Sequence, residues 1–180
     1  RRSHRVGRKS NGFCRRQRCL EPMEPSLGIV VPAFRPDVDS LVGYTRELAD
    51  RLDPARIRVE LDDPRGRVES RLRGVELPPS VTLSVAHRRR GKGAAITAGF
   101  EALDTDLLLF VDADGSTPVD SVERILEPLY AGRADVAAGS RRHPDSRVTS
   151  HQTFARRHLG DGFAWLARRL LEAELYDYQC

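Results

Sequence analysis

The sequence predicts an α/β domain built on a mainly parallel sheet with helices packed against it. Short apolar runs, such as Leu27–Val31 and Leu107–Val111, alternate with longer stretches of helical periodicity. Apolar runs of this length are typical of strands that are buried on both faces. Strands that alternate with helices favour parallel pairing, because each helix returns the chain to the same end of the sheet.

The chain opens, after an irregular leader, with one strand and one helix. Leu27–Val31 is the first predicted strand, and Pro32-Ala-Phe ends it. Asp37 or Asp39 then caps a helix whose apolar positions continue at helical spacing as far as Leu52. Asp-Pro follows and stops this helix.

A second strand, Arg56–Leu61, alternates apolar and polar residues and leads into Asp62-Asp63-Pro64. Carboxylates at the carboxyl end of a strand suit ligand binding, although an Asp-Pro turn accounts for them equally well. A short helix near Val68–Leu72 and a third strand, Val81–Val85, come next.

A basic, glycine-rich segment follows the third strand. Gly91 and Gly93 flank Lys92, three arginines precede them, and a helix of small residues comes after. Such a loop can direct backbone N–H groups and positive charge at a diphosphate. A solvated basic turn is the other interpretation. The segment is not a Walker A loop, because it lacks the preceding glycine and the Ser or Thr after the lysine.

Two carboxylates, Asp112 and Asp114, directly follow the run Leu107–Val111, which reads as a central strand. Two carboxylates at such a position cost desolvation energy unless a cation neutralises them. A divalent cation that carries a substrate's phosphates would do so. The alternative is structural: Asp114 or Thr117 caps the next helix, predicted at about residues 118–130, with Pro118 in its first turn.

The last third of the chain adds three features. Asp135–Ala138 is predicted to be a short strand that leads into Gly139-Ser-Arg141, and residues 144–150 read as a polar loop. Residues 152–171 form a predicted helix with a broad apolar stripe flanked by arginines. That stripe suits either packing on the sheet or contact with a membrane surface.

The positive charge is concentrated in a leader, residues 1–22. The 180-residue chain has a formal charge of +4, but residues 1–22 hold eight of its 30 Lys and Arg and one of its 26 acidic residues. The leader lacks periodicity, and Met23, the only methionine, follows it. We therefore interpret residues 1–22 as a disordered extension that is not native, and residues 23–180 as the domain. A basic arm for nucleic acid or lipid, or a weak metal site at Cys14 and Cys19, are the alternatives.

Three cysteines without a paired pattern indicate a reducing compartment rather than a disulfide framework. No apolar run reaches the roughly 20 residues that a transmembrane helix needs. The basic N-terminus also has no apolar core segment of the kind found in signal peptides.

Taken in order, these motifs resemble those of the family 2 glycosyltransferases, which have the Rossmann-like GT-A fold. Within that family the chain is most similar to dolichyl-phosphate glucosyltransferases and mannosyltransferases. The segments that carry the resemblance span residues 26–180. They are Val30-Val-Pro-Ala-Phe34, Asp62, Arg90-Gly-Lys-Gly-Ala-Ala95 with Gly99, Asp112-Ala-Asp114, Gly139-Ser-Arg141 and Asp177-Tyr-Gln-Cys180.

The resemblance implies roles for these residues. Those implied to bind the nucleotide sugar are Pro32, Ala33, Asp62, Gly91, Lys92, Gly93, Asp112 and Asp114. Asp112 and Asp114 would also bind Mg²⁺ or Mn²⁺. Arg141 and Gln179 would bind the acceptor, and Asp112, Asp114 and Arg141 would carry catalysis.

The chain departs from the family pattern at three points. Arg35-Pro36 stands where the family usually has Asn-Glu, and Asp62-Asp63-Pro64-Arg65 replaces Asp-Asp-Gly-Ser. The sequence also stops at Cys180, before the glycine that usually follows. We therefore expect the domain to be incomplete at its C-terminal side.

The expected reaction moves a sugar from a UDP-glucose-type or GDP-mannose-type donor to a polyprenyl or dolichyl phosphate. The expected place is the cytoplasmic face of a membrane, with peripheral contact and without nucleic acid. A sugar-nucleotide nucleotidyltransferase is one alternative, but its glycine-rich loop normally follows the first strand, where this chain has Pro32-Ala-Phe34. A non-catalytic nucleic-acid-binding protein that uses the basic leader is the other.

Overall fold

A computed structural model describes residues 25–140, in which four strands alternate with four helices. Their bounds are β1 Leu27–Phe34, α1 Val38–Arg51, β2 Arg56–Asp62, α2 Arg67–Leu72, β3 Val81–Ala86, α3 Lys92–Glu101, β4 Leu107–Phe110 and α4 Val119–Tyr130. The predicted helix at 152–171, the loop at 144–150 and the leader 1–22 lie outside the described residues. Within residues 25–140, no helix is both long and apolar enough to cross a membrane.

The four strands form one sheet in the order β3-β2-β1-β4, and every pair in it is parallel. This arrangement confirms the predicted α/β class with a parallel sheet. Since all four strands point the same way, the loops that follow them leave from a single edge of the sheet. In doubly wound α/β folds that edge is the place where ligands bind.

Helices cover both faces of the two central strands. Ile29 and Val31 of β1 join the main core with residues of α1 and α4, whereas Val30 faces α3. A Cβ atom added to Gly99 would lie 2.5 Å from the Cγ1 atom of Val30. Only a glycine therefore lets α3 pack this closely, and the close packing sets the position of the glycine-rich loop at the N-terminal end of α3.

The first strand is longer than the sequence predicts, because it passes through Pro32 and ends at Phe34. The Val30 carbonyl accepts a hydrogen bond from the Val111 amide, so the backbone groups of Val30 point towards β4. Backbone groups alternate along a strand, and those of Pro32 therefore point to the same side. The last β1–β4 pair is Val30 with Phe110. Pro32 thus lies beyond the paired region, where its missing N–H breaks no ladder bond.

The sequence predicted that the strand after Leu107 is central. Instead, β4 (Leu107–Phe110) lies at an edge of the sheet formed by residues 25–140. Its side chains are only partly buried, and Leu108 remains 42% exposed. The central position belongs to β1, which pairs with both β2 and β4. An apolar run predicts a strand, but it does not reveal how many neighbours the strand has.

The strand predicted at Asp135–Ala138 is also wrong. Residues 134–138 pair with no strand of the described part of the chain, and Val136 is 83% exposed. Within residues 25–140 this segment therefore has no neighbouring strand that would favour an extended backbone.

The helix caps separate the alternatives that the sequence left open. Asp37, rather than Asp39, caps α1, and its carboxylate accepts a hydrogen bond of 2.9 Å from the Ser40 amide. Helix α4 begins at Val119 with Pro118 as its N-cap and without a side-chain capping bond. Neither Asp114 nor Thr117 therefore caps α4, so the helix-cap interpretation of these two residues is wrong.

Candidate active site

Two of the predicted segments meet at the carboxyl edge of the sheet. Lys92 is the first residue of α3, and Asp112 follows β4. The Nζ atom of Lys92 lies 2.7 Å from an Oδ1 atom of Asp112, and 5.4 Å from the centre of the Phe110 ring. The glycine-rich loop and the carboxylate pair, which are 20 residues apart in the sequence, thus form one site.

The carboxylate of Asp62 holds the glycine-rich loop in place. One oxygen accepts hydrogen bonds from the Arg90 and Gly91 amides at 2.7 and 2.9 Å, and the other accepts one from Arg90 Nε at 2.9 Å. Burial alone would raise the pKa of Asp62, but the bonds from the Arg90 side chain and the two amides outweigh it, so the pKa is lowered. Asp62 is therefore ionised at neutral pH, and it ties β2 to the loop after β3.

Glu60 is a member of the site that sequence reasoning missed. In the sequence it is one of the polar residues of an alternating strand, yet its side chain is fully buried. One oxygen of Glu60 accepts a hydrogen bond of 2.6 Å from Arg58, and the other accepts one of 2.9 Å from Arg90. The signal that could have found it is the arginine run that ends at Arg90, since a buried carboxylate requires a cation beside it.

The interpretation of the glycine-rich loop as a solvated basic turn holds for only part of the loop. Arg88 and Arg89 are exposed, but Arg90 and Lys92 each pair with carboxylates of the site. Gly91 has a φ of 87° and forms the N-cap of α3. A residue with a side chain would be strained in this conformation. Gly91 therefore makes the turn that brings the first amides of α3 and the Lys92 side chain to the same edge.

Asp114 is fixed by the turn that it begins. Its Oδ1 atom accepts a hydrogen bond of 2.9 Å from the Ser116 amide. This bond is the main reason why the pKa of Asp114 is lowered, and the positive charge of Lys92 adds to the effect. Asp114 is consequently a carboxylate, rather than a neutral acid, over the whole physiological pH range.

Tyr44 is a second residue that sequence reasoning missed, because it reads as one more apolar position of α1. Its ring lies under the turn that carries the carboxylates: a Cβ atom on Gly115 would be 3.5 Å from Tyr44 Cδ2. Its hydroxyl donates a hydrogen bond of 2.6 Å to the Thr117 carbonyl. Burial, together with the charges of Glu47, Asp114 and Asp112, raises the pKa of Tyr44 to about 12. Tyr44 thus supports the carboxylate turn from the helix side.

The sequence pattern that defines glycosyl transferase family 2 matches residues 29–171. The chain belongs to this family. The match spans both halves of the site, the glycine-rich loop and the carboxylate pair, and it confirms the family that the motifs indicated.

Several of the chain's curated relatives are dolichyl-phosphate beta-glucosyltransferases. The chain is 31% identical over 106 residues to the one from Trichomonas vaginalis, covering 57% of this chain and 32% of that protein. It is 31% identical over 98 residues to the human one, covering 52% and 30% respectively. It is also 34% identical over 95 residues to the glycosyltransferase AglD of Haloferax volcanii, covering 51% and 14%. The chain thus spans about a third, or less, of each of these relatives.

Among solved structures, the chain is similar to a mannosyltransferase of Pyrobaculum calidifontis that was determined in complex with GDP-mannose and Mn²⁺. The identity is 22% and the TM-score is 0.36, with 52% of this chain and 28% of that chain covered.

The ligand atoms of the carboxylate pair are oxygens, which suit a divalent cation. Asp112 and Asp114 offer oxygen ligands, which Mg²⁺ prefers, and the side chain of Asp112 is 45% exposed. Residues 25–140 contain no group of three or more His, Cys, Asp or Glu that could hold a metal ion. Magnesium is commonly bound by one or two carboxylates together with substrate phosphates. The pair therefore fits as the protein's share of a site that a substrate would complete.

Of the remaining residues predicted to bind substrates, some lie in the described part of the chain and others do not. Ala33 is buried in β1 and Pro32 is half-buried beside it, so these residues shape the strand end. Next to them, the exposed Phe34 ring has the guanidinium carbon of Arg35 at 5.1 Å and that of Arg89 at 4.6 Å from its centre. Arg141 and Gln179 lie outside the described residues, and Gly93 lies in the first turn of α3.

Proposed function

We propose that this protein is a metal-dependent glycosyltransferase that moves a sugar from a nucleoside-diphosphate sugar to a polyprenyl or dolichyl phosphate. The observation that carries the proposal is the meeting of Lys92 with Asp112 at the carboxyl edge of the sheet, 2.7 Å apart. A diphosphate needs both of the things assembled there, namely the positive charge of Lys92 at a helix N-terminus and carboxylates that suit a divalent cation. The glucosyltransferase relatives support the choice of reaction.

In this proposal the donor's diphosphate lies over the N-terminal end of α3. Gly91 and Gly93 leave room for it, and Lys92 neutralises part of its charge. Asp112 and Asp114 would hold Mg²⁺ or Mn²⁺, and the bound ion would supply Lewis-acid stabilisation of the leaving nucleoside diphosphate. Asp62 fixes the conformation of this loop by accepting hydrogen bonds from the amide and the side chain of Arg90.

The donor's base and ribose would lie towards β1 and β2. Pro32 and Ala33 form the end of β1, and Asp62 is the paired residue at the end of β2 opposite Phe34. A carboxylate can accept about four hydrogen bonds, and Asp62 already accepts three. We propose that any contact of Asp62 with the nucleotide uses the remaining acceptor position. The proposed donor is a nucleotide sugar of the UDP-glucose or GDP-mannose type.

The acceptor is proposed to be a lipid phosphate at the cytoplasmic face of a membrane. A phosphate is already anionic near neutral pH, so it needs positioning by cations rather than a strong general base. Arg141 and Gln179 are proposed to bind it, Arg141 because a guanidinium can bind a phosphate through two parallel hydrogen bonds. The apolar stripe of residues 152–171 is proposed to contact the membrane surface peripherally.

The two other functions explain less of the site. A nucleotidyltransferase would carry its glycine-rich loop after β1, whereas here the loop follows β3 and β1 ends in Pro32-Ala-Phe34. A nucleic-acid-binding protein would rely on residues 1–22 and would leave the carboxylate edge without a purpose. Its binding would be strongly salt-dependent and would disappear with that segment.

The reaction is tested by offering radiolabelled UDP-glucose and GDP-mannose with Mn²⁺, and polyprenyl phosphate against free polyprenol and soluble sugars. We expect transfer to polyprenyl phosphate, impaired in Arg141→Lys but not in the neighbouring Arg142→Lys, with donor binding nearly unchanged in both. Transfer to a soluble sugar and none to the lipid phosphate would refute the lipid acceptor. Equal activity of Arg141→Lys and the unaltered protein would remove Arg141 from the mechanism.

A further inference from the structure

The ammonium of Lys92 already occupies one of the two carboxylates proposed to bind the metal. It lies 2.7 Å from Asp112 Oδ1 and against the Phe110 ring, at 5.4 Å from its centre. The two side chains of the ion pair are 49% and 45% exposed, so water and ions can reach the pair. An ion pair of this exposure is weak and exchangeable.

Two cations therefore compete for the charge of the same carboxylate. A divalent ion that uses Asp112 as a ligand would lie beside the ammonium, because the same side chain holds both. The two positive charges would repel each other unless an anion came between them. The diphosphate of a donor is such an anion, and it would lie over the helix end from which Lys92 extends.

Lys92 can make this exchange without a change of the fold. Its backbone is fixed at the start of α3, where the Ala95 amide donates a hydrogen bond of 3.0 Å to the Gly91 carbonyl. Its side chain carries four rotatable methylene groups, so the charge can move while the helix remains in place. The Arg90 and Asp62 contacts that hold the loop do not involve Lys92.

We propose that Lys92 is a resident counter-ion that keeps Asp112 occupied until the metal and a nucleoside diphosphate arrive together, and that it then pairs with the diphosphate. This inference rests on the proposed function. It makes metal binding and donor binding mutually dependent: the ion alone binds poorly because of Lys92, and the ion with the diphosphate binds well because of Lys92. The same side chain therefore opposes one ligand and supports the other.

The test is a pair of titrations on the 180-residue chain and its Lys92→Met variant. Free Mn²⁺ is followed by electron paramagnetic resonance without nucleotide, and UDP and GDP are titrated by calorimetry at saturating Mn²⁺. We expect Mn²⁺ alone to bind about threefold tighter to Lys92→Met, the scale of a half-exposed ion pair. We expect the better-bound nucleotide to bind at least about tenfold more weakly, the scale of a lost charge-assisted hydrogen bond.

Two controls separate this exchange from a general effect of charge. Arg88→Met removes one positive charge from the same loop at an exposed position, and it should leave both affinities nearly unchanged. In an Asp112→Asn background, Lys92→Met should no longer tighten Mn²⁺ binding, because the contested carboxylate is gone. Melting temperatures are recorded for every variant, so that loss of folding is recognised as such.

The outcomes are distinct. Mn²⁺ binding that is unchanged or weaker in Lys92→Met would overturn the inference and leave the proposed function standing. Tighter Mn²⁺ binding with unchanged nucleotide binding would also overturn it, because Lys92 would then not pair with the diphosphate. Failure of the unaltered protein to bind either nucleotide with Mn²⁺ would overturn the proposed function and, with it, the inference.

Discussion

Asp62 and Arg90 are joined by two hydrogen bonds, one from the Arg90 amide at 2.7 Å and one from its Nε atom at 2.9 Å. The same guanidinium donates to the fully buried Glu60. Arg90 thus neutralises two carboxylates of β2 and fixes the loop that carries Lys92. The site depends on this arginine for its shape, although Arg90 is the last of three consecutive arginines that look alike in the sequence.

Arg90→Leu is expected to destabilise the fold strongly. Glu60 would keep Arg58 as a partner but lose the cation on its other oxygen, and Asp62 would lose one side-chain bond. Removal of one partner from a buried ion pair costs about 3–5 kcal/mol, and Arg58 should reduce this to the lower end. Denaturant unfolding at neutral pH measures the loss.

Arg73→Leu is the matched control for this experiment. Arg73 also pairs with a glutamate, Glu69, but its side chain is 72% exposed. An exposed pair four residues apart on a helix contributes about 0.3–0.5 kcal/mol. Similar losses for Arg73→Leu and Arg90→Leu would contradict the importance assigned to the buried network.

The stability of the domain should fall in acid, partly through Asp62. Its folded-state pKa is lowered, so its contribution is fully present above its ordinary pKa of about 3.9 and is lost as the pH falls through the folded-state value. We expect the free energy of unfolding to decline below about pH 4. The decline should be shallower in Asp62→Asn, which has no proton to take up. Equal slopes for the two proteins would show that Asp62 does not contribute.

Tyr44→Phe should loosen the carboxylate turn. It removes the bond to the Thr117 carbonyl and is expected to cost about 1 kcal/mol. Because the pKa of Tyr44 is raised to about 12, its stabilising effect should be complete below its ordinary pKa of about 10 and be lost as the pH rises towards 12. Ultraviolet titration should reveal a late phenol ionisation that Tyr44→Phe abolishes and that Tyr130→Phe retains. Its persistence in Tyr44→Phe would contradict the assignment.

The sequence predicted the strands and helices of residues 25–130 well, because burial in a parallel sheet imposes a recognisable pattern. β2, β3 and the cap of α1 lie within a residue of their expected places. The order of the strands within the sheet could not be predicted from this pattern. Leu107–Phe110 reads as central and lies at an edge of the described sheet, since apolar composition does not record the number of hydrogen-bonded neighbours.

The charged residues of the site were predicted, but most of their partners were not. Lys92 and Asp112 stood out because charge beside glycine, or charge after a strand, is unusual in a sequence. Glu60 and Tyr44 did not stand out, because each reads as an ordinary position of its strand or helix. Pairing across the fold is set by the parallel register and by the close packing of Gly99 on Val30, which a linear pattern does not contain.

The central claim is that Asp112 and Asp114 hold a divalent ion for a nucleoside diphosphate, and Asp114→Asn tests it most directly. This change removes a charge while keeping the shape of the side chain and its acceptor for the Ser116 amide. The matched control is Asp104→Asn, an exposed change of the same charge before β4, at the opposite end of the sheet.

Calorimetric titration of UDP and GDP, with and without Mn²⁺, is the measurement. We predict that metal-dependent binding weakens by at least about tenfold in Asp114→Asn, which corresponds to about 1.4 kcal/mol, and stays unchanged in Asp104→Asn. Binding to Asp114→Asn that is as tight as in the unaltered protein, or binding that does not depend on Mn²⁺ in either, would contradict the account.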